Sequence, residues 1–199
     1  MLLVCLDLEG VLVPEIWIEF AERVGIEALK RTTRDEPDYD KLMRYRLELL
    51  RRHGLRLSDI QRVIDGMKPL EGAAAFLDGL RARHQVVILS DTFYEFAGPL
   101  MRQLGRPTLL CHELEVGAEG FVSNYRLRMP EQKAAAVRAF RGLNFKVAAA
   151  GDSYNDTEML AAADVGILFR PPAAIAAQFP QFRATESYAE LAAAIAAAA

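Results

Sequence analysis

Acids close three of the apolar runs in this sequence. The first run, Leu2-Leu-Val-Cys-Leu6, passes into Asp7-Leu-Glu9-Gly10. The second, Gln85-Val-Val-Ile-Leu89, ends in Ser90-Asp91-Thr92. A later one, Lys146-Val-Ala-Ala-Ala150, ends in Gly151-Asp152-Ser153-Tyr154-Asn155-Asp156. Lys133 stands shortly before it, at the start of a helical stretch. Brought to one place, Asp7, Glu9, Asp152 and Asp156 would crowd several carboxylates into a small volume. Like charges that close cannot all stay ionised without a counter-ion. A hard cation with oxygen ligands resolves this, and Mg²⁺ usually takes one or two carboxylates plus water and phosphate oxygens. The Lys133 ammonium and the Ser90 hydroxyl then offer a cation and a donor to a phosphate. The chemistry open to this set is phosphoryl transfer.

The surrounding elements explain why these residues would meet. Short continuous apolar runs mark strands buried on both faces, as in a parallel sheet. They predict strands at 2–8, 85–91, 108–112, 146–152 and 165–169, with helices at about 71–83, 93–104, 131–141 and 154–163 between them. This alternation predicts an α/β doubly wound parallel sheet. In such sheets ligands bind outside the carboxyl ends of the strands. Residues 114–129 alternate instead and carry a turn at Gly117 to Gly120, which predicts a β-hairpin. Residues 15–67 break the pattern, with helical spacing through 16–24, 39–53 and 57–67 and prolines at Pro14 and Pro69. The expected division is a catalytic core of residues 1–13 and 69–199 and a helical cap of residues 14–68. The alanine-rich tail, 190–199, reads as a fraying surface helix without function.

Composition narrows the classes. The chain has 199 residues, 52% of them hydrophobic and 26% charged, which suits a soluble globular protein with a self-sufficient core. A net charge of −3 argues against general nucleic-acid binding and against a polybasic membrane anchor. The apolar runs fall well short of the ~20 residues of a spanning helix, and Asp7 comes too early for a signal peptide. Cys5 and Cys111 are too few for a disulfide framework and read as buried thiols in a reducing, cytoplasmic setting. His53, His84 and His112 lack metal-site spacing and read as structural.

Four segments in order, Asp7-Leu-Glu-Gly-Val11, Ile88-Leu-Ser-Asp91, Lys133 and Gly151-Asp-Ser-Tyr-Asn-Asp156, resemble the motifs of the haloacid dehalogenase superfamily of phosphatases. The resemblance covers residues 1–13 and 69–169, and the helical insertion matches the cap of its phosphoserine phosphatases. Residues 5–18, 90–96 and 151–156 look most like the bifunctional phosphoserine phosphatase/homoserine phosphotransferases. The resemblance implies that Asp7 is a nucleophile forming an aspartyl-phosphate. It implies that Glu9 protonates the leaving alcohol and then deprotonates the acceptor, while its backbone carbonyl binds Mg²⁺. Most relatives carry Asp there, so the extra methylene of Glu9 changes the reach of the acid. Ser90 and Lys133 would hold the phosphoryl group, and Asn155 would bind substrate or orient the phosphate. Asp152 would be a Mg²⁺ ligand, Asp156 a ligand or the support of one, and Asp91 a support for its loop.

The cap should supply specificity. Arg46 lies four residues after Leu42 and three and four before Leu49 and Leu50, on the apolar stripe of its helix. An inward-facing guanidinium wants a carboxylate, and a substrate carboxylate would fit bidentately. Glu15, at a helix start, would meet a substrate ammonium group. Trp17, Phe20, Met43 and Phe93 read as core. Glu15 and Arg46 together predict a small zwitterionic phosphomonoester such as O-phosphoserine, with water or homoserine as acceptor. The same chemistry on a sugar phosphate, nucleotide or phospho-alcohol stays open, as does an aspartyl-phosphate receiver module. A homodimer is compatible with the sequence and required by nothing in it.

Overall fold

The computed structural model describes residues 1–32, 35, 36 and 38–199. Its centre is β1 (Leu2–Leu6), buried along its whole length. Leu2, Val4 and Leu6 face one apolar core, and Leu3 and Cys5 face a second. That two-sided burial is why the run is continuously apolar rather than alternating. β1 pairs in parallel with β2 (Gln85–Phe93) on one side and β5 (Lys146–Gly151) on the other. The remaining strands are β3 (Thr108–Val116), β4 (Val122–Arg126), β6 (Val165–Phe169) and β7 (Arg183–Thr185). Among the described residues the sheet has seven strands, ordered β4-β3-β2-β1-β5-β6-β7. The chain therefore builds outward from β1 in one direction, then returns to build the other half. The crevice beside the carboxyl end of β1 is the switch point where such sheets bind ligands.

Helices cover both faces. The first core packs against α4 (Ala73–Arg81), α5 (Tyr94–Gln103) and α9 (Tyr188–Ala196), and the second against α6 (Gln132–Gly142) and α7 (Thr157–Ala162). Between β1 and α4 lie α1 (Ile16–Val24), a 3₁₀ turn at Glu27–Lys30, α2 (Tyr39–Arg52) and α3 (Leu57–Asp65). The two ends of this helical excursion run together, with Leu70 N–H donating to the Leu12 carbonyl at 2.9 Å. No helix among the described residues is long and apolar enough to cross a membrane.

Three features differ from the sequence expectation. The strand at 108–112 and the hairpin at 114–129 share one continuous β3. Its first half pairs in parallel with β2 and its second half antiparallel with β4. The hairpin's turn does lie at Gly117 to Gly120. Short β7 and α8 (Ala173–Gln178) carry too few residues to show a period. The alanine-rich tail is not a loose surface helix. Leu191, Ala194 and Ile195 of α9 are buried, and Tyr188 stacks between Phe76 and Phe169 with ring centroids 4.8 Å from each. Small alanines let this helix approach the sheet closely, so the apolar contact rests on few residues.

Candidate active site

Asp7 continues β1 by one residue, its N–H donating to the Ala150 carbonyl at 2.9 Å. The residue is 4% exposed, and its Oδ1 accepts from Leu8 N–H at 2.8 Å. The chain then folds into a tight loop, with Leu12 and Val13 N–H both donating to the Leu8 carbonyl. Gly10 makes that loop fit, with φ of +74° and Asp152 packed against it. The loop turns Glu9 toward the start of α1, where its Oε2 accepts from Ile16 N–H at 3.0 Å. Burial and the neighbouring Glu15 raise the Glu9 carboxyl to about 8, against the Ile16 hydrogen bond.

β2 delivers the second group. Its register against β3 shifts between Leu89 and Phe93. Such irregularities re-aim side chains, and here the segment involved is Ser90-Asp91-Thr92. Ser90 is 1% exposed and its Oγ accepts from Thr92 N–H at 3.3 Å.

Lys133 comes from the first turn of α6, entered through Glu131 at φ +46°. A cation at a helix N-terminus opposes the macrodipole, and this one is only 4% exposed. Carboxylates offset both costs: Nζ lies 2.8 Å from Asp156 Oδ1, 3.1 Å from Asp7 Oδ1 and 3.3 Å from Asp91 Oδ2. Burial alone would lower the Lys133 pKa, but Asp156, Asp7 and Asp91 outweigh it and hold the ammonium well above its ordinary value.

The loop after β5 supplies the rest. Asp156 is fully buried, and its Oδ2 accepts from Asp152 N–H at 3.1 Å and Ser153 N–H at 3.2 Å. A Cβ on Gly151 would lie 2.3 Å from the Asp156 Cγ, so only glycine lets this carboxylate fold back. Asn155 is exposed and donates from Nδ2 to Asp91 Oδ2 at 3.1 Å.

One lysine does not balance these acids. Burial, then Asp156, push Asp7 well above the usual carboxylate range against the pull of Lys133. Burial, Asp156 and Glu15 push Asp152 up to about 7. Carboxylate oxygens of Asp7, Asp152 and Asp156 all lie within 4.8 Å of one another. An oxygen-only donor set short of positive charge fits a hard divalent cation such as Mg²⁺.

The helical segment between β1 and α4 contributes to the same cleft. A cleft of about 960 Å³ is lined by Asp7, Glu9, Ser90 and Lys133 from the core and by Glu15 and Arg46 from the helical insertion. Arg46 is 7% exposed, its guanidinium 4.5 Å above the Trp17 ring centroid. Nη2 donates to the Arg31 carbonyl at 2.8 Å, while buried Nε has no partner among the described residues. Burial pushes Arg46 down to about 10, opposed by Tyr39, Glu9 and Glu15. Glu15 is exposed, at the N-cap of α1, and its side chain makes no capping bond.

The structure thus gathers Asp7, Glu9, Ser90, Lys133, Asn155, Asp152 and Asp156 at the carboxyl ends of the strands, with Glu15 and Arg46 of the helical insertion lining the same cleft. Phe20, Met43 and Phe93 are core, but Trp17 also lines the cleft and carries Arg46. Sequence reasoning missed Gln132, whose Nε2 donates to the Ser90 carbonyl at 2.6 Å and to Asp91 Oδ1 at 3.1 Å. His112, which the sequence reads as structural, has its Nε2 3.6 Å from Asp91 Oδ1. Both signals were present: Gln132 precedes Lys133 at a helix start, and His112 closes a run of the kind that ends at the site. Cys5 and Cys111 are buried thiols, as expected.

Comparison with known proteins identifies the family of this chain. A family model described as haloacid dehalogenase-like hydrolase matches residues 1–164. The phosphoserine phosphatase ThrH of Pseudomonas aeruginosa is 62% identical over 187 residues, covering 94% of this chain and 91% of that protein. A phosphoserine phosphatase of Pseudomonas syringae pv. tomato is 61% identical over 187 residues, covering 94% and 79%. A substrate-bound phosphoserine phosphatase structure superposes with a TM-score of 0.76 at 18% identity, covering 94% of this chain and 93% of that one. The phosphoserine phosphatase from T. onnurineus gives 0.74 at 24% identity, covering 97% and 93%. These two likenesses are of fold. The family match runs from β1 past the end of α7 and takes in every strand-end acid described above, so the chain belongs to the haloacid dehalogenase-like hydrolases.

Proposed function

We propose that this hydrolase is a cytoplasmic, Mg²⁺-dependent phosphoserine phosphatase that also passes phosphate to homoserine. The observation that carries the substrate reading is Arg46. Its guanidinium is buried over Trp17, with Nε lacking a partner among the described residues, in the same cleft as Asp7, Ser90 and Lys133. A buried guanidinium without a carboxylate partner is costly, and the carboxylate of an amino-acid substrate would complete it. Glu15, on the same cap, would meet the substrate ammonium. The 62% identity to a phosphoserine phosphatase supports the same substrate. The receiver-module alternative gives way to membership of a hydrolase family.

In this reading residues 14–68 act as a cap that carries the specificity residues over the core. Asp7 attacks the substrate phosphorus through a carboxylate oxygen, the bond to the serine oxygen breaks, and an aspartyl-phosphate forms. Glu9, whose burial lets it hold a proton near neutral pH, gives that proton to the departing serine oxygen. Glu9 then takes a proton from water or from the homoserine hydroxyl as that oxygen attacks phosphorus. Phosphate or phosphohomoserine leaves and Asp7 is restored. Ser90 and Lys133 hold the transferring oxygens, and Asn155 orients the phosphate edge. Mg²⁺, held by Asp7, Asp152, Asp156 and the Glu9 carbonyl, would supply the positive charge that lets a phosphoryl dianion approach this acidic edge.

The test is phosphate release from O-phosphoserine with and without Mg²⁺, repeated with homoserine present. Mg²⁺-dependent release, diverted partly to phosphohomoserine, is expected. Absence of both products would overturn the substrate assignment.

A further inference from the structure

Asp91 stands beside Lys133 with no part in the steps above. A carboxylate next to a phosphoryl site repels the substrate's own charge, so its presence calls for a reason. Among the described residues its two oxygens meet four side chains from three other elements. Oδ1 accepts from Gln132 Nε2 at 3.1 Å and faces His112 Nε2 at 3.6 Å. Oδ2 accepts from Asn155 Nδ2 at 3.1 Å and lies 3.3 Å from Lys133 Nζ.

The supporting groups are themselves fixed. His112 Nδ1 accepts from Arg128 N–H at 3.1 Å, so in the neutral ring the proton sits on Nε2 and faces Asp91. Gln132 Oε1 accepts from Arg128 Nη2 at 2.8 Å, which turns the Gln132 amide NH₂ toward Asp91 and the Ser90 carbonyl. Three carboxylates hold Lys133, but Asp7 and Asp156 also belong to the trio suited to a cation. Asp91 stands outside that trio, 3.3 Å from Lys133.

We infer that Asp91 is a positioning residue for phosphoryl transfer: backed by Gln132 and His112, its carboxylate aims the Lys133 ammonium and the Asn155 amide at the phosphoryl group. The inference rests on the phosphatase reading for the identity of the reaction. An asparagine at this position has the same shape but sets an NH₂ against one of the two pairs of donors.

The test is steady-state kinetics of Asp91→Asn and Asp91→Glu with Mg²⁺, using both O-phosphoserine and p-nitrophenyl phosphate, with thermal unfolding measured in parallel. Asp91→Asn is expected to lower kcat about tenfold to a hundredfold on both substrates with KM little changed. Asp91→Glu, which keeps the charge, should recover part of the loss. An Asp91→Asn/Asn155→Ala double variant should lose less than the product of the two single losses, because the groups act together. A folded Asp91→Asn with wild-type kcat on both substrates, whatever its melting temperature, would overturn the inference. So would a defect confined to the phosphoserine KM, which would place Asp91 at the amino-acid end. If Asp91→Asn does not fold, Asp91→Glu decides: lowered kcat at constant KM supports the role, and unaltered kcat refutes it. If the wild type cleaves only the aryl phosphate, the substrate reading fails while the role of Asp91 is still decided on that substrate.

Discussion

Gly10 and Asp152 are in contact so close that a Cβ on Gly10 would sit 2.4 Å from the Asp152 carboxyl. The loop after β1 and the loop after β5 therefore lock together through a missing side chain. Gly10→Ala meets this clash and also strains a backbone at φ +74°, a conformation costing about 1–3 kcal/mol for a non-glycine residue. We expect it to lower the melting temperature and to remove nearly all phosphatase activity. A Gly10→Ala protein with wild-type kcat would show that these loops need not touch.

Cation binding should stabilise the protein measurably. A ligand bound only by the native state at a hundred times its Kd adds about 2.7 kcal/mol, or roughly 5–10 °C in Tm for a chain of this size. Mg²⁺ should produce such a rise in differential scanning fluorimetry, and a chelator should reverse it. Asp152→Asn should abolish the rise. Its Tm without metal should equal or exceed that of the wild type, because burial and neighbouring acids disfavour the Asp152 charge. A full Mg²⁺ shift in Asp152→Asn would remove Asp152 from the ligand set.

The C-terminal helix should matter to stability rather than to chemistry. Tyr188 is stacked between Phe76 and Phe169, and its hydroxyl donates to the Val11 carbonyl at 2.7 Å. Tyr188→Phe removes the hydrogen bond and should cost about 1 kcal/mol. Tyr188→Ala also opens a cavity and should cost about 3 kcal/mol. Urea unfolding followed by circular dichroism checks both, and kcat below the transition should stay near wild type.

The two thiols should be inert in the folded protein. Cys5 is fully buried and its thiol is pushed up to about 12 by desolvation, and burial raises Cys111 as well. The folded thiols stay protonated while those of the unfolded chain ionise above about pH 8.5. Their contribution to stability is therefore complete below that pH and declines as pH climbs toward the folded values. Iodoacetamide at pH 9 should label neither cysteine in native protein and both in urea, by mass spectrometry. Rapid native labelling of Cys5 would contradict its place in β1.

Much of this was legible in the sequence because few alternatives satisfy it. A five-residue apolar run such as Leu2–Leu6 that ends in Asp7 has little option but a buried central strand with its acid at the edge. Arg46 could be placed toward the cleft because helical spacing puts it between Leu42 and Leu49. What escaped was set by tertiary partners. Thr108–Val116 changes from parallel to antiparallel pairing within one strand, and only its neighbours β2 and β4 reveal that. The tail helix looked unanchored because alanine has no pattern of its own, and its anchors, Phe76, Phe169 and Val11, lie far away in sequence. Gln132 and His112 were overlooked because their function is to hold Asp91, whose importance depends on Lys133 being 3.3 Å away.

The central claim is that the cap reads an amino-acid substrate through Arg46 while the core performs transfer on any phosphoryl group placed there. Arg46→Ala, assayed with Mg²⁺ on O-phosphoserine beside p-nitrophenyl phosphate, separates the two. Losing one partner of a buried charged pair costs about 2–5 kcal/mol, so kcat/KM for phosphoserine should fall at least about 30-fold. The aryl phosphate, which has no carboxylate for Arg46 to hold, should be cleaved at close to the wild-type rate. Unchanged phosphoserine turnover, or an equal loss on both substrates, would contradict the account.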